Sequence, residues 1–206
     1  MSSLGSSEKQ LLLDVARRAV VAAVERRESL ENLPETDGIL FGGVFVTLHR
    51  RGRLRGCIGQ IGAHGSLIQT VAHCAKCAAL EDPRFSPVRV DELIEIEIEL
   101  SVLSALEMIS PGEIEAGKHG LLVSNGCQRG VLLPQVAPQF GWAAMRFLEE
   151  TCLKAGLNRE AWKDAETQVQ AFTAEVFGEK DLGGEGTRDQ EIPPITPAKT
   201  DYSSST

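Results

Sequence analysis

Gly43-Val44-Phe45-Val46-Thr47-Leu48-His49-Arg50-Arg51-Gly52-Arg53-Leu54-Arg55-Gly56-Cys57-Ile58-Gly59 is the stretch that decides how this chain folds. Val44, Val46 and Leu48 alternate with Phe45, Thr47 and His49, the two-residue period of a strand with one face against a core. Arg51-Gly52 makes a short turn, and the chain returns through Leu54-Arg55-Gly56-Cys57-Ile58-Gly59, so the stretch predicts an antiparallel hairpin. The returning strand packs little core for its length. Its two glycines point to backbone that bends or that something approaches closely. A cysteine beside a fixed cation is also where a thiol becomes reactive.

Working outward, Leu12, Val15, Ala16, Ala19, Val20, Ala23 and Val24 recur at helical spacing, and Ser7 with Gln10 has capping-box spacing, predicting a helix over 7–27. Residues 35–43, after Pro34, read as a loop. Ser66 and Gln69 signal a second helix that ends by Asp82, because Pro83 disfavours continuation. Ile94, Ile96, Ile98, Leu100 and Val102 alternate with Glu95, Glu97, Glu99 and Ser101, predicting a strand over 94–102 whose second face is wet or meets cations. Short strands at 121–124 and 130–133 flank the Asn125-Gly126 turn signal. A helix is predicted over 140–155, with Gly156 as its C-terminal cap, then a short helix capped by Asn158 and a last strand over 167–177. Hairpins without strict strand-helix alternation indicate an α+β fold with a largely antiparallel sheet.

The 206 residues carry 21 basic and 29 acidic side chains, a net charge of −8. That balance argues against a general binder of nucleic acid or of acidic membrane surfaces. No apolar run approaches a bilayer span, and residues 1–7 show no secretory pattern, so a cytoplasmic protein with its five cysteines reduced is expected.

Several clusters could carry chemistry. Cys57 reads as a thiolate held by Arg55 and by backbone N–H groups at Gly56 and Gly59, able to act as nucleophile or to bind an anion; it reads also as a small buried hydrophobe in a bulged strand. His73 and Cys77 lie i, i+4 on one helix face with Cys74 between, but zinc needs about two further ligands and no second pair exists, so no metal and no cofactor are predicted. Arg84, in Asp82-Pro83-Arg84-Phe85-Ser86-Pro87, could hold a carboxylate or phosphate, or pair with Asp82 to set the turn. His119 precedes a strand and could serve as general acid or base, or be merely solvated. Four arginines between His49 and Arg55 could contact phosphate, RNA or protein, although no aromatics interleave to stack bases.

Taken together, Gly43-Val44-Phe45-Val46-Thr47-Leu48, Leu54-Arg55-Gly56-Cys57-Ile58-Gly59, Asp82-Pro83-Arg84-Phe85-Ser86-Pro87, Gly117-Lys118-His119-Gly120-Leu121, Leu133-Pro134-Gln135-Val136-Ala137, Phe140-Gly141-Trp142 and Cys152-Leu153-Lys154-Ala155-Gly156-Leu157 follow in one order. In this the chain resembles the AMMECR-type domain family, whose bacterial members are called AmmeMemoRadiSam system protein A, over about residues 8–178. The resemblance implies an α+β fold with a main antiparallel sheet, flanking helices and a smaller second lobe, the signature hexapeptide lining a cleft between them. It implies one domain over 1–178, followed by a tail over 179–206 whose composition predicts disorder. It also implies association with a Memo-type protein and a radical SAM protein, and no particular reaction. The two cysteines beside His73 depart from the small and polar residues typical of the family there.

Three functions are consistent with these residues. The first is an enzyme or enzyme component binding a small anionic substrate, with Cys57 and His119 catalytic and Arg55, Gly56, Gly59 and Arg84 binding. The second is a non-catalytic adaptor for Memo-type and radical SAM partners. The third is nucleic-acid contact through the arginine hairpin, which net charge and missing aromatics disfavour.

Overall fold

The computed structural model describes residues 3–26, 41–62 and 65–182. The alternating run forms β1 (Gly43–Arg50), and the hairpin returns as β2 (Arg53–Ile61). Arg51 and Gly52 both take positive φ, as a two-residue hairpin turn requires. β3 (Ile96–Leu103) pairs on the other side of β1, and β8 (Ala174–Gly178) completes an antiparallel sheet of order β2-β1-β3-β8.

Val44, Val46, Leu48, Ile98, Leu100 and Val102 lie on one buried face of this sheet. They pack with α1 (Ser6–Val24) and α2 (Leu67–Leu80), which also pack on each other. The cap of α2 is the predicted one, Ser66 Oγ accepting from the Gln69 N–H at 3.2 Å. The cap of α1 lies two residues earlier than predicted: the Glu8 carboxylate accepts from the Gly5 N–H at 2.7 Å.

A second antiparallel sheet has the order β4-β7-β5-β6, built from β4 (Glu107–Met108), β5 (Gly120–Asn125), β6 (Gln128–Leu132) and β7 (Gln168–Phe172). Its own core joins Leu121, Val123 and Val169 to Phe147, Leu148 and Cys152. The last three project from α4 (Ala144–Lys154), which follows the short α3 (Val136–Gln139). The result is the expected α+β architecture, with antiparallel pairing throughout both sheets.

Four boundaries differ from expectation, each for a tertiary reason. Ile94 and Glu95 belong to a 3-10 turn over Val90–Glu95, and Ile94 is 93% exposed, because Glu92 is drawn into ion pairs with the hairpin. The helix predicted over 140–155 is interrupted at Gly141, whose φ of 63° ends α3 before α4 begins. The strand predicted over 167–177 is two strands in two sheets. They part at Thr173, whose N–H donates to Ser104 Oγ at 3.0 Å while its carbonyl accepts from the Ser104 N–H at 2.9 Å. Glu179–Leu182, placed in the tail by composition, form a helical turn, α5, with Glu179 ion-paired to Arg17. The rest of the tail and most of the loop expected over 35–43 lie outside the described residues.

Two interactions hold the hairpin in place. Gly56 lies under α2: a Cβ built there would sit 2.2 Å from the Ala78 carbonyl oxygen. At the tip, buried Glu92 receives Arg55 at 2.9 Å and Arg50 at 2.7 Å, while Arg51 and Arg50 both reach Glu95. The Arg55 hydrogen bonds above all hold the Glu92 carboxyl down at about 2, against an ordinary 4.5.

Gly56→Ala is expected to cost on the order of 2–3 kcal/mol, because helix and sheet must separate, and denaturant melts will measure it. Because the folded Glu92 pKa is depressed, its contribution is complete above about pH 4.5 and is lost as pH falls toward about 2. Glu92→Gln is therefore expected to lose about 2–3 kcal/mol at pH 7, and much less at pH 2–3, in paired thermal melts.

Candidate site around Cys57

β2 is an edge strand, and edge strands leave alternate N–H and C=O groups without a sheet partner. At Cys57 these groups are taken by the turn after α2. The Asp82 carboxylate accepts the Cys57 N–H at 2.8 Å, and Arg84 Nη2 donates to the Cys57 carbonyl at 3.2 Å. Asp82 and Arg84 are themselves locked together. Arg84 Nε reaches Oδ1 at 2.9 Å, Nη2 reaches Oδ2 at 2.7 Å, and the Arg84 N–H caps Oδ1 at 3.0 Å. Burial works against the Asp82 charge, but the Arg84 fork and the two N–H groups hold its carboxyl below the usual range. The structure thus shows the Asp82–Arg84 pairing that sets the turn, and the same pair binds the Cys57 backbone.

The Cys57 side chain stands on the face of the sheet away from α1 and α2. It lies opposite Thr47 across the hairpin, and Glu99 lies opposite Thr47 on β3. With its N–H directed outward, Cys57 forms a non-hydrogen-bonded pair with Thr47, the type whose side chains come closest. Thr47 Oγ1 accordingly donates to the Cys57 Sγ at 3.4 Å. Burial pushes the thiol above its ordinary value, helped by Asp82 and Glu99 and only partly opposed by Thr47 and Arg84. The expected thiolate is thus a neutral thiol near pH 7, because the site is desolvated and its cation is shared with Asp82.

The remaining predicted residues have separate places. The register shift between Leu48 and His49 leaves Arg55 as the extra residue of a bulge. Its guanidinium turns to Glu92 and to the carbonyls of Ser86 and Pro87, at 2.9 and 3.3 Å, rather than to the thiol. Gly56 makes room for α2. Gly59 makes room for Phe45, whose ring would lie 2.1 Å from a Cβ there.

His119 sits in the loop just before β5 of the second sheet, where Nδ1 accepts the Glu115 N–H at 3.2 Å. Among the described residues no hydrogen bond or ion pair joins it to Cys57, Arg55 or Arg84. Within α2, the Cys77 sulfur is 3.7 Å from His73 Nε2, while Cys74 is buried and its thiol is pushed up to about 11, mainly by desolvation. Among the described residues no group of three His, Cys, Asp or Glu side chains is placed to hold a metal ion. No helix among them is long and apolar enough to cross a membrane.

Two residues of this face were not singled out by their chemistry in the sequence, Thr47 and Glu99. The alternation of 95, 97 and 99 did place Glu99 opposite the core. Which of those glutamates is ion-paired depends on residues far away in the chain.

The family model for AMMECR1 matches residues 13–177. The chain belongs to the AMMECR1 family. It is 44% identical over 195 residues to the protein Mbar_A1807 of Methanosarcina barkeri, covering 85% of this chain and 96% of that protein. It is 42% identical over 186 residues to a protein of Methanothermobacter thermautotrophicus, with the same two coverages. Among solved structures it is similar to the crystal structure of the uncharacterized protein PH0010 from Pyrococcus horikoshii. There the TM-score is 0.72 at 38% identity, over 82% of this chain and 90% of that one. In this AMMECR1-family chain the hexapeptide thus combines a packing contact at Gly56, a tip anchor at Arg55 and a fixed thiol at Cys57.

Cys57 is expected to alkylate slowly at pH 7.5, with a rate that climbs with pH and is still rising at about pH 9. Peptide-level mass spectrometry after iodoacetamide pulses measures this, with exposed Cys127 as the fast internal reference.

Proposed function

We propose that this AMMECR1-family protein is an enzyme, or the substrate-binding component of one, that takes a small molecule with an anionic group onto the sheet face at Cys57. The observation that supports this reading is the manner in which Cys57 is held. Its N–H, its carbonyl and its sulfur each have a specific partner, in Asp82, Arg84 and Thr47. The thiol is consequently fixed in direction and kept protonated, half-buried on a face not covered by the two long helices. Arg84 Nη1 makes no hydrogen bond among the described residues, so one edge of its guanidinium remains for an oxyanion beside the thiol. A neutral thiol donates a hydrogen bond as it stands, and becomes a nucleophile once a base or the bound substrate removes its proton. His119 stays outside this proposal, since its ring is bound to the Glu115 backbone in the loop before β5.

A second reading is a docking module for Memo-type and radical SAM partners. One observation favours it. Phe140 and Trp142 stack at 4.8 Å between ring centroids, with Phe140 46% exposed and Met145 40% exposed close by in the chain.

Cys57→Ser separates the two readings, since it keeps size and polarity but removes the sulfur. Wild type and variant are to be incubated in native cell extract, with mass spectrometry of small molecules and of co-purifying proteins. The first reading expects conversion or retention of a small anion by wild type, reduced at least tenfold in the variant at unchanged melting temperature. Equal small-molecule profiles, with Memo-type or radical SAM proteins captured equally by both, would establish the adaptor instead.

A further inference from the structure

The sheet face that carries Cys57 also carries an ionisable group, Glu99, that has no hydrogen bond or ion pair among the described residues. Cys57, Thr47 and Glu99 are register partners across β2, β1 and β3, so their side chains stand in one row on one face. The neighbouring glutamates are engaged, Glu97 with Lys180 and Glu95 with Arg50 and Arg51. Glu99, half-buried, makes no hydrogen bond and no ion pair among the described residues.

The groups that face Glu99 come from every element around it. β1 brings Thr47 and His49, and β2 brings Cys57 beyond Thr47. β3 brings Glu97 and Ser101, and β8 places Gly178 opposite. From α5 come Lys180, held by Glu97, and Asp181, whose carboxylate accepts the Gly178 N–H at 2.7 Å. Burial raises the Glu99 carboxyl above its usual range, His49 works against that, and Asp181 adds to it. A desolvated carboxyl without a partner is unfavourable in the unliganded fold, and such groups concentrate where a ligand supplies the partner.

We propose that Glu99 is a second ligand-contacting residue of the Cys57 face, and that it receives an ammonium group of the molecule bound there. This rests on the reading of that face as a small-molecule site. The ligand is then dipolar, with its anionic group at Arg84 on the β2 edge and its ammonium toward β3. Cys57 and Glu99 stand two strand spacings apart, roughly 10 Å, and Arg84 lies outside the β2 edge, so the two charges of the ligand are separated by more than that.

A second consequence concerns the thiol. Ionised Glu99 is one of the charges that keep Cys57 protonated. An ammonium seated on it cancels that influence and shifts the thiol toward thiolate when the substrate arrives, by on the order of one pKa unit at most. An anion on Arg84 acts in the opposite direction, and the ammonium offsets it.

Charged thiol reagents test this on the full chain. 2-Aminoethyl methanethiosulfonate and 2-sulfonatoethyl methanethiosulfonate form the same kind of mixed disulfide with release of methanesulfinate, and differ in carrying an ammonium or a sulfonate. The ratio of their rates at one cysteine cancels any change in thiolate fraction, so it reports the charge met on approach. Glu99→Gln is expected to lower the cation-to-anion rate ratio at Cys57 about three- to tenfold. Glu99→Asp should keep the wild-type ratio, and the ratio at exposed Cys127 should not change in either variant. An unchanged ratio at Cys57 in a folded Glu99→Gln protein would overturn the role of Glu99 and leave the Cys57 site standing. Reaction of Cys57 with neither reagent, while Cys127 reacts with both, would show the face closed and overturn the site reading as well.

Discussion

The hydrogen bond from the Cys57 N–H to the Asp82 carboxylate is the constraint on which the rest of the site depends. An edge strand must satisfy its outward backbone groups or offer them to another chain. Here a carboxylate stands where a neighbouring strand would put a carbonyl, and a guanidinium stands where it would put an N–H. The pair closes the edge at one residue without adding a strand. It also ties the turn after α2 to β2.

Once that edge is closed, the opposite side of Cys57 is determined too. The outward N–H makes Cys57 and Thr47 a close pair, which brings a hydroxyl to the sulfur. Arg84, already engaged with Asp82, lowers the thiol pKa only weakly, and desolvation prevails. The same economy governs the hairpin tip. The arginines that look like an anion-binding run are consumed by Glu92 and Glu95, leaving exposed Arg53 at the turn without an ion pair among the described residues. Three arginines of a basic stretch thus clamp the hairpin to the turn that carries Glu92 and Glu95.

Much of this was legible from the residues. The hairpin at 43–59, the Ser66 cap, the alternation over 94–102 from Ile96 onward, and the Gly156 cap after α4 are all local signals, and local hydrogen bonding or burial enforces them. Asp82-Pro83-Arg84 was visible as a turn whose arginine binds something acidic, but not that the pair would hold Cys57. Arg55 was misjudged as a partner of the thiol because adjacency along a strand says nothing about a bulge, and the bulge sends its side chain toward Glu92. Glu99 could not be separated from Glu95 and Glu97 by pattern alone. Their partners, Arg50, Arg51 and Lys180, come from other elements.

By itself, then, the amino-acid sequence determined the antiparallel α+β character and the two long helices that start near Ser7 and at Ser66. These follow from periodicity and turn chemistry, which act over a few residues. Only the tertiary structure decided that 168–178 serves two sheets, split where Thr173 and Ser104 exchange hydrogen bonds. It likewise decided which charges are engaged in ion pairs and which, like Glu99, have none among the described residues. Electrostatics and desolvation depend on distances between groups far apart in the chain, and those distances exist only once the sheets and helices have packed.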